Sequence, residues 1–328
     1  MISHTSWQQS LSELITCPLE LLSLLDLTAD QVAWQIDKDF PLRVTKSFVA
    51  RMKKGDPTDP LLRQVLPLKK ESCSTLNFSK DPLAESTVNP VPGLLHKFKT
   101  RALLTFTGSC AIHCRFCFRR HFPYTDNNPG RNGWSAALDY IANHPEIMEV
   151  ILSGGDPLMA QDETIAHFLA QLAQIPHVQI LRIHSRLPVV LPERVTPEFV
   201  NMLKATRFNT VMVYHINHPQ EITASIANGV ALLKQQQITV LNHTVLLQGV
   251  NDEIECLKKL SLQLFAAGIL PYYINLLDAV QGASHFAVPL AKAKALQQDL
   301  RAALPGYLVP KFVQEIPEQP SKIPLDHL

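Results

Sequence analysis

From about residue 100 onward, short apolar runs alternate with longer amphipathic ones, and this rhythm restricts the fold more than any other feature of the chain. Strand and helix taking turns build a parallel sheet covered by helices. The expected strands are Ala102 to Thr107, Glu149 to Leu152, Val178 to Ile183, Thr210 to His215, Thr239 to Leu247 and Pro271 to Leu276. Between them, Ile165, Phe168, Leu169 and Leu172, and then Ile222, Ile226, Val230 and Leu233, recur at the spacing of a helix laid on a sheet. Leu290, Leu296 and Leu300 mark a further helix. Six βα units are two short of the familiar eight, so the expected fold is α/β, a partial (βα)6 parallel barrel with its site at the C-terminal strand ends. A doubly wound open sheet shares this periodicity. Residues 96–328 are assigned to the barrel. Residues 1–95 form an N-terminal helical extension and connector, with helical stretches around Leu11 to Leu27 and Ala29 to Ile36 and a Pro-studded run from Asp56 to Pro92.

Composition narrows the function. The chain has 328 residues, 46% hydrophobic and 18% charged, with 30 Lys and Arg against 29 Asp and Glu. Without a basic block, nucleic acid is not expected as a ligand. Nowhere do eighteen apolar residues run together, which argues against a membrane span. Glu13 and Glu20 interrupt a start that lacks both a basic region and a sustained apolar one, so the expected address is the cytoplasm. Of six cysteines, Cys110, Cys114 and Cys117 crowd into one short loop, the mark of metal ligation in a reducing compartment rather than of disulfides. Cys17, Cys73 and Cys256 stand alone and are expected to be buried small hydrophobes.

The three clustered thiols form a C-x3-C-x2-C run directly after the first strand of the βα series. Three thiolates can hold three irons of a [4Fe–4S] cluster and leave the fourth iron open for chemistry. The competing reading is a structural zinc site with His113 as fourth ligand, but no second ligand couple follows along the chain. This spacing after a first barrel strand resembles that of radical S-adenosylmethionine (SAM) enzymes, which implies a radical SAM partial barrel and SAM bound at the open iron. Ser153-Gly154-Gly155-Asp156-Pro157 at the end of the next strand is similar to that family's glycine-rich segment, making Gly154, Gly155 and Asp156 cofactor-binding candidates.

Several ordered segments resemble one branch in particular, the lysine 2,3-aminomutase family: Cys114-Arg-Phe-Cys117-Phe-Arg119-Arg120, Leu152 to Leu158, Arg182 to Val190, Asn217 to Ile222, Gly249 to Asp252 and Gly306 to Pro310. The resemblance runs from about residue 90 to the C-terminus. It implies pyridoxal 5′-phosphate (PLP) carried on Lys322, the catalytic lysine, with Lys97 and Arg101 at its phosphate. It further implies free L-lysine as substrate, its carboxylate on Arg119 and its ε-ammonium between Asp278 and Glu315, and an external one-electron reductant. A guanidinium fork suits a carboxylate, and paired buried acids call for a cation. Glu315 stands where the family has Asp, His243 where it has a Gln near SAM, and Glu253 where it has a zinc-ligating cysteine. This zinc-less pattern, in a sequence ending at Leu328 without a C-terminal cysteine group, resembles the bacterial branch that makes (R)-β-lysine for elongation factor P and its lysyl-transferring ligase. Another radical SAM enzyme, such as a glutamate 2,3-aminomutase, and a non-catalytic zinc scaffold are the alternatives.

Overall fold

The computed structural model describes residues 6–127 and 134–328. Its strands are β1 (Leu94–Phe98), β2 (Arg101–Thr107), β3 (Glu149–Gly154), β4 (Ile180–Ser185), β5 (Asn209–His215), β6 (Thr239–Val245), β7 (Leu270–Asn275), β8 (Lys311–Gln314) and β9 (Ile323–Pro324). They form one sheet in chain order, with no reversal of strand order, which separates it from a doubly wound fold. Strands β2 to β8 run parallel, while β1 and β9 add antiparallel edges at the two ends. The six expected strands correspond to β2 through β7. Sequence reasoning did not register β8, because four residues carry no readable alternation.

Crossover helices cover the sheet where the apolar stripes required them. Helix Asp162–Leu172 buries Ile165, Phe168, Leu169 and Leu172, and helix Ala224–Gln235 buries Ile226, Val230 and Leu233. Each fully buried side chain of this size stabilises by roughly 1.5–3 kcal/mol. Helix Pro197–Lys204 starts where Thr196 Oγ1 accepts from Phe199 N at 3.1 Å and Pro197 presets the first turn. In helix Leu290–Ala303 the buried face is Ala293, Leu296, Gln297 and Leu300, whereas Leu290 is exposed.

The N-terminal segment is less helical than its leucines suggest. Short helices occupy Trp7–Ser12 and Pro18–Leu24, but residues 29–36 form turns, and Trp34 makes an isolated bridge to Leu68. Eight residues holding Asp30, Gln31 and Trp34 gain more from that tertiary pairing than from a helix of marginal length. Trp7, Leu21, Leu22, Phe48, Leu61 and Leu62 join the same apolar core as the barrel helices. Polar contacts also tie this segment to the loop after β2. Arg115, fully buried, donates to Glu71 at 2.6 Å and to Asp37 at 2.7 Å. Replacing Arg115 with Ala leaves Asp37 and Glu71 with Arg120 alone, at 3.0 and 3.1 Å, and removes the shortest contacts of the cluster, so Arg115→Ala is expected to cost about 3 kcal/mol, read from urea unfolding; an unchanged midpoint contradicts this account.

Candidate active site

Every site candidate named from the sequence lines one cavity: the thiols and the glycine pair stand at C-terminal strand ends, whereas Arg101 opens β2 and Lys97 lies on the antiparallel β1. Cys110, Cys114 and Cys117 follow β2. The extension shapes their loop, since His113 N donates to Arg43 O and Arg115 N to Gln64 O, each at 2.9 Å. Arg186, just past β4, donates to Cys114 Sγ at 2.8 Å, to Gln64 Oε1 at 2.6 Å and to Glu221 Oε2 at 3.0 Å. Burial, with Asp156 and the neighbouring thiols, pushes the Cys110 thiol well up. Burial and Cys114 push Cys117 to about 11. Thiols so placed gain from cationic ligation, and three of them facing one cavity are the donor set of a [4Fe–4S] cluster with one open iron. The zinc alternative does not find its ligand set assembled: His113 is held at the edge of the loop by a 2.8 Å contact of Nδ1 with Pro41 O and by stacking on Phe40 at 4.5 Å. Among the described residues no three His, Cys, Asp or Glu side chains converge as a single-ion site.

The glycine pair after β3 is there for closeness. Gly154 has φ +112°, and a Cβ on it would meet Thr107 O at 2.6 Å. A Cβ on Gly155 would meet Ser109 O at 2.5 Å, at the threshold of the cysteine loop. Gly155 N donates to Thr107 O at 2.7 Å and Asp156 N to Ser109 O at 2.8 Å. The Asp156 carboxylate accepts from Ser185 Oγ at 2.7 Å, from Arg186 N and Leu187 N at 2.8 Å each, and from Leu158 N at 3.1 Å. Its oxygens are thus spent on locking β3 to β4, which makes Asp156 a brace of the cofactor wall rather than a free acceptor in it.

At the other flank, the β8–β9 pairing sets Gln314 beside Ile323, so the next residues inward, Glu315 and Lys322, stand side by side. Lys322 Nζ donates to Asn275 Oδ1 at 2.7 Å and lies 3.3 Å from Glu315 Oε2, whose other oxygen takes Lys97 Nζ at 2.9 Å. Burial works to raise the Glu315 carboxyl, but Lys322 and Lys97 overcome it and hold it below its usual range. Asp278 has no such direct partner among the described residues, and burial pushes it up to about 7 against the pull of Lys322. Arg101 lies over the Phe98 ring at 4.2 Å with no hydrogen-bond partner among the described residues. A primary amine in a half-buried niche with basic residues beside it fits PLP and its phosphate.

Two features escaped the sequence reading. Arg119 is already engaged: its Nε and Nη2 donate to Glu85 at 2.7 and 2.6 Å, and Nη1 to Ser153 Oγ at 3.2 Å, so the full fork is not open to another carboxylate. Nothing in the Pro-studded connector marks Glu85. The second feature is that His243, named from the sequence, is one of a row on adjacent strands with His184 and His215, each with a buried Nε2 on the cavity wall that has no partner among the described residues. The His184 and His243 rings are 4.9 Å apart. Burial drives all three well down, His215 to about 3, and so keeps them neutral. Neutral imidazoles facing a cavity are hydrogen-bonding groups for a polar cofactor. Elsewhere, Cys17 and Cys73 are exposed, not buried: they flank short helical turns at the surface. Glu253 pairs with Lys292 at 2.9 Å.

A model described as a 4Fe-4S single cluster domain matches residues 99–183, the stretch that carries the cysteine loop and the glycine turn. With the partial barrel and its three thiols, this defines a radical SAM iron–sulfur enzyme. The chain is 47% identical over 327 residues to L-lysine 2,3-aminomutase of Escherichia coli K12, covering 99% of this chain and 95% of that one. It is 49% identical over 319 residues to the protein of the same name from Haemophilus influenzae, covering 97% and 94%. For that of Clostridium subterminale the figures are 38% over 324 residues, covering 97% and 77%. The chain belongs to the L-lysine 2,3-aminomutase family of isomerases. Gly155→Ala is expected to displace the cysteine loop, cutting iron and sulfide uptake on anaerobic reconstitution to less than half; full loading would show that the close approach is dispensable.

Proposed function

We propose that this enzyme converts L-lysine to (R)-β-lysine by a 2,3-amino shift dependent on PLP as well as SAM, in the cytoplasm, and that the product is destined for elongation factor P through a lysyl-transferring ligase. The supporting observation is the charge layout of one cavity, with a guanidinium at Arg119 and, apart from it, two carboxylates, Asp278 and Glu315, beside Lys322. A cavity of that pattern suits an amino acid with a second amino group. A glutamate substrate would add a third carboxylate to that end, where like charges repel. The link to elongation factor P rests on resemblance to the short bacterial branch. A reducing cytoplasm, with an external one-electron reductant, suits a site built on three free thiols.

When bound, the cluster with SAM supplies hydrogen abstraction and PLP supplies a covalent carrier for the migrating amine. The chain's residues do the rest. Lys322 acts as a nucleophile only with Nζ deprotonated, and Asn275 Oδ1 at 2.7 Å and Glu315 Oε2 at 3.3 Å hold that nitrogen in place. Lys97 and Arg101 serve the phosphate. His243, with His184 and His215, offers neutral ring nitrogens to SAM along the wall formed by Gly154 and Gly155. Leu83, Val88, Phe116 and Val245 line the same cavity and exclude water.

Anaerobic incubation of the iron-loaded protein with PLP, SAM, a reductant and L-lysine should give (R)-β-lysine without stoichiometric loss of SAM; fully loaded protein that leaves lysine unchanged overturns the proposal. Asp278 adds a pH signature. Its folded pKa is raised to about 7, and an ammonium partner favours the anion. Binding below pH 7 must therefore expel a proton, so lysine affinity should fall up to about tenfold per pH unit there and level off above. Asp278→Asn should remove this slope and weaken lysine binding by about 3–5 kcal/mol, measured by titration of PLP-loaded protein.

A further inference from the structure

We propose that Glu85 is a positioning residue for Arg119, and that the strap bearing it, residues 79–88, sets the separation between the two ends of the substrate. This rests on the reading of Arg119 as the carboxylate site. A guanidinium has five N–H groups. Glu85 takes two through Nε and Nη2, Ser153 takes one from Nη1, and one remains on each Nη for a second carboxylate. Both members of the pair are buried, with side chains 7% and 9% exposed, so the planar fork is clamped before any substrate arrives.

The strap is built to stay in place rather than to swing. Asp81 accepts from Glu85 N at 2.9 Å, from Ser86 N at 3.2 Å and from Ser86 Oγ at 2.9 Å, closing a tight turn. Ala84 takes the left-handed conformation at φ +50°, which a residue with a Cβ adopts only when its surroundings impose it. At its other end, Ser79 N donates to Ala279 O at 2.9 Å and Gln281 N to Ser79 O at 2.8 Å, on both sides of Val280 and directly after Asp278. One segment thus braces Arg119 through Glu85 and Asp278 through its loop, and Leu83 and Val88 line the same cavity. A rigid ruler of this kind discriminates by chain length.

The test uses PLP-loaded holoenzyme carrying Glu85→Gln, Glu85→Asp, Asp81→Asn or Arg119→Lys. Two readouts are compared: amino-acid binding, from the visible absorbance of PLP with L-lysine or the one-methylene-shorter L-ornithine, and steady-state kcat and KM. Glu85→Gln is expected to lower kcat about tenfold or more and to narrow the preference for lysine over ornithine, because small misplacements of a reacting group are costly. Glu85→Asp should recover part of the loss, and Asp81→Asn, which does not touch Arg119, should shift the preference in the same direction more weakly. Tighter lysine binding in Glu85→Gln overturns the proposal, showing instead that Glu85 imitates the substrate carboxylate; so does an unchanged preference with unchanged kcat. If Arg119→Lys binds lysine normally, the underlying assignment of Arg119 fails, whatever Glu85 does.

Discussion

Two guanidinium groups flanking one cysteine hold this molecule's chemistry together. Arg115 anchors the cysteine loop to Asp37 and Glu71 of the N-terminal segment, and Arg186 joins Cys114 to Gln64 and Glu221. Buried charges are tolerated only when paired and hydrogen-bonded, so these contacts dictate where four distant parts of the chain must meet. Residues far from the barrel in sequence therefore belong to the site's foundation. Gln64, in the connector, touches Arg186, Asn217 and Glu221 at once.

The two flanks of the cavity are organised on different principles. Around the thiols, backbone closeness dominates: Gly154 and Gly155 let β3 lie against the end of β2, and Asp156 spends its oxygens pinning that turn to β4. Around Lys322, side-chain charge dominates. Lys97, Glu315 and Lys322 form a row in which the central anion is satisfied from both sides. Asp278 stands beside that row, and its burial, with the nearby Glu315 and Glu85 charges, outweighs the pull of Lys322 and holds its proton unusually firmly. The histidines on β4, β5 and β6 occupy the ground between the flanks and stay uncharged, which prevents further repulsion in a cavity already crowded with cations.

Much of this was legible in the residues. The six strands β2 to β7 and three of the covering helices followed from periodicity, and the cysteine spacing announced an open-iron site. Resemblance picked out Lys322 and Asp278, which carry no local signature, and the fold brings them to the same cavity as the thiols. What stayed hidden depends on tertiary pairing. Strand β8 is too short to show alternation. Residues 29–36 look helical but bridge to Leu68 instead. Glu85 is an unremarkable acid until Arg119 is seen beside it. Asp156 reads as part of a binding motif, yet its hydrogen bonds are internal.

The sheet places Cys110 after the first parallel strand and Lys322 before the last, short antiparallel one. The reactive centre consequently exists only when distant portions of the polypeptide have come together, and contacts of such long sequence separation form late and slowly. During synthesis the three sulfurs are made well ahead of the lysine that completes the cavity. A nascent chain thus carries its thiols in an unfinished pocket until the β8–β9 segment docks against β7.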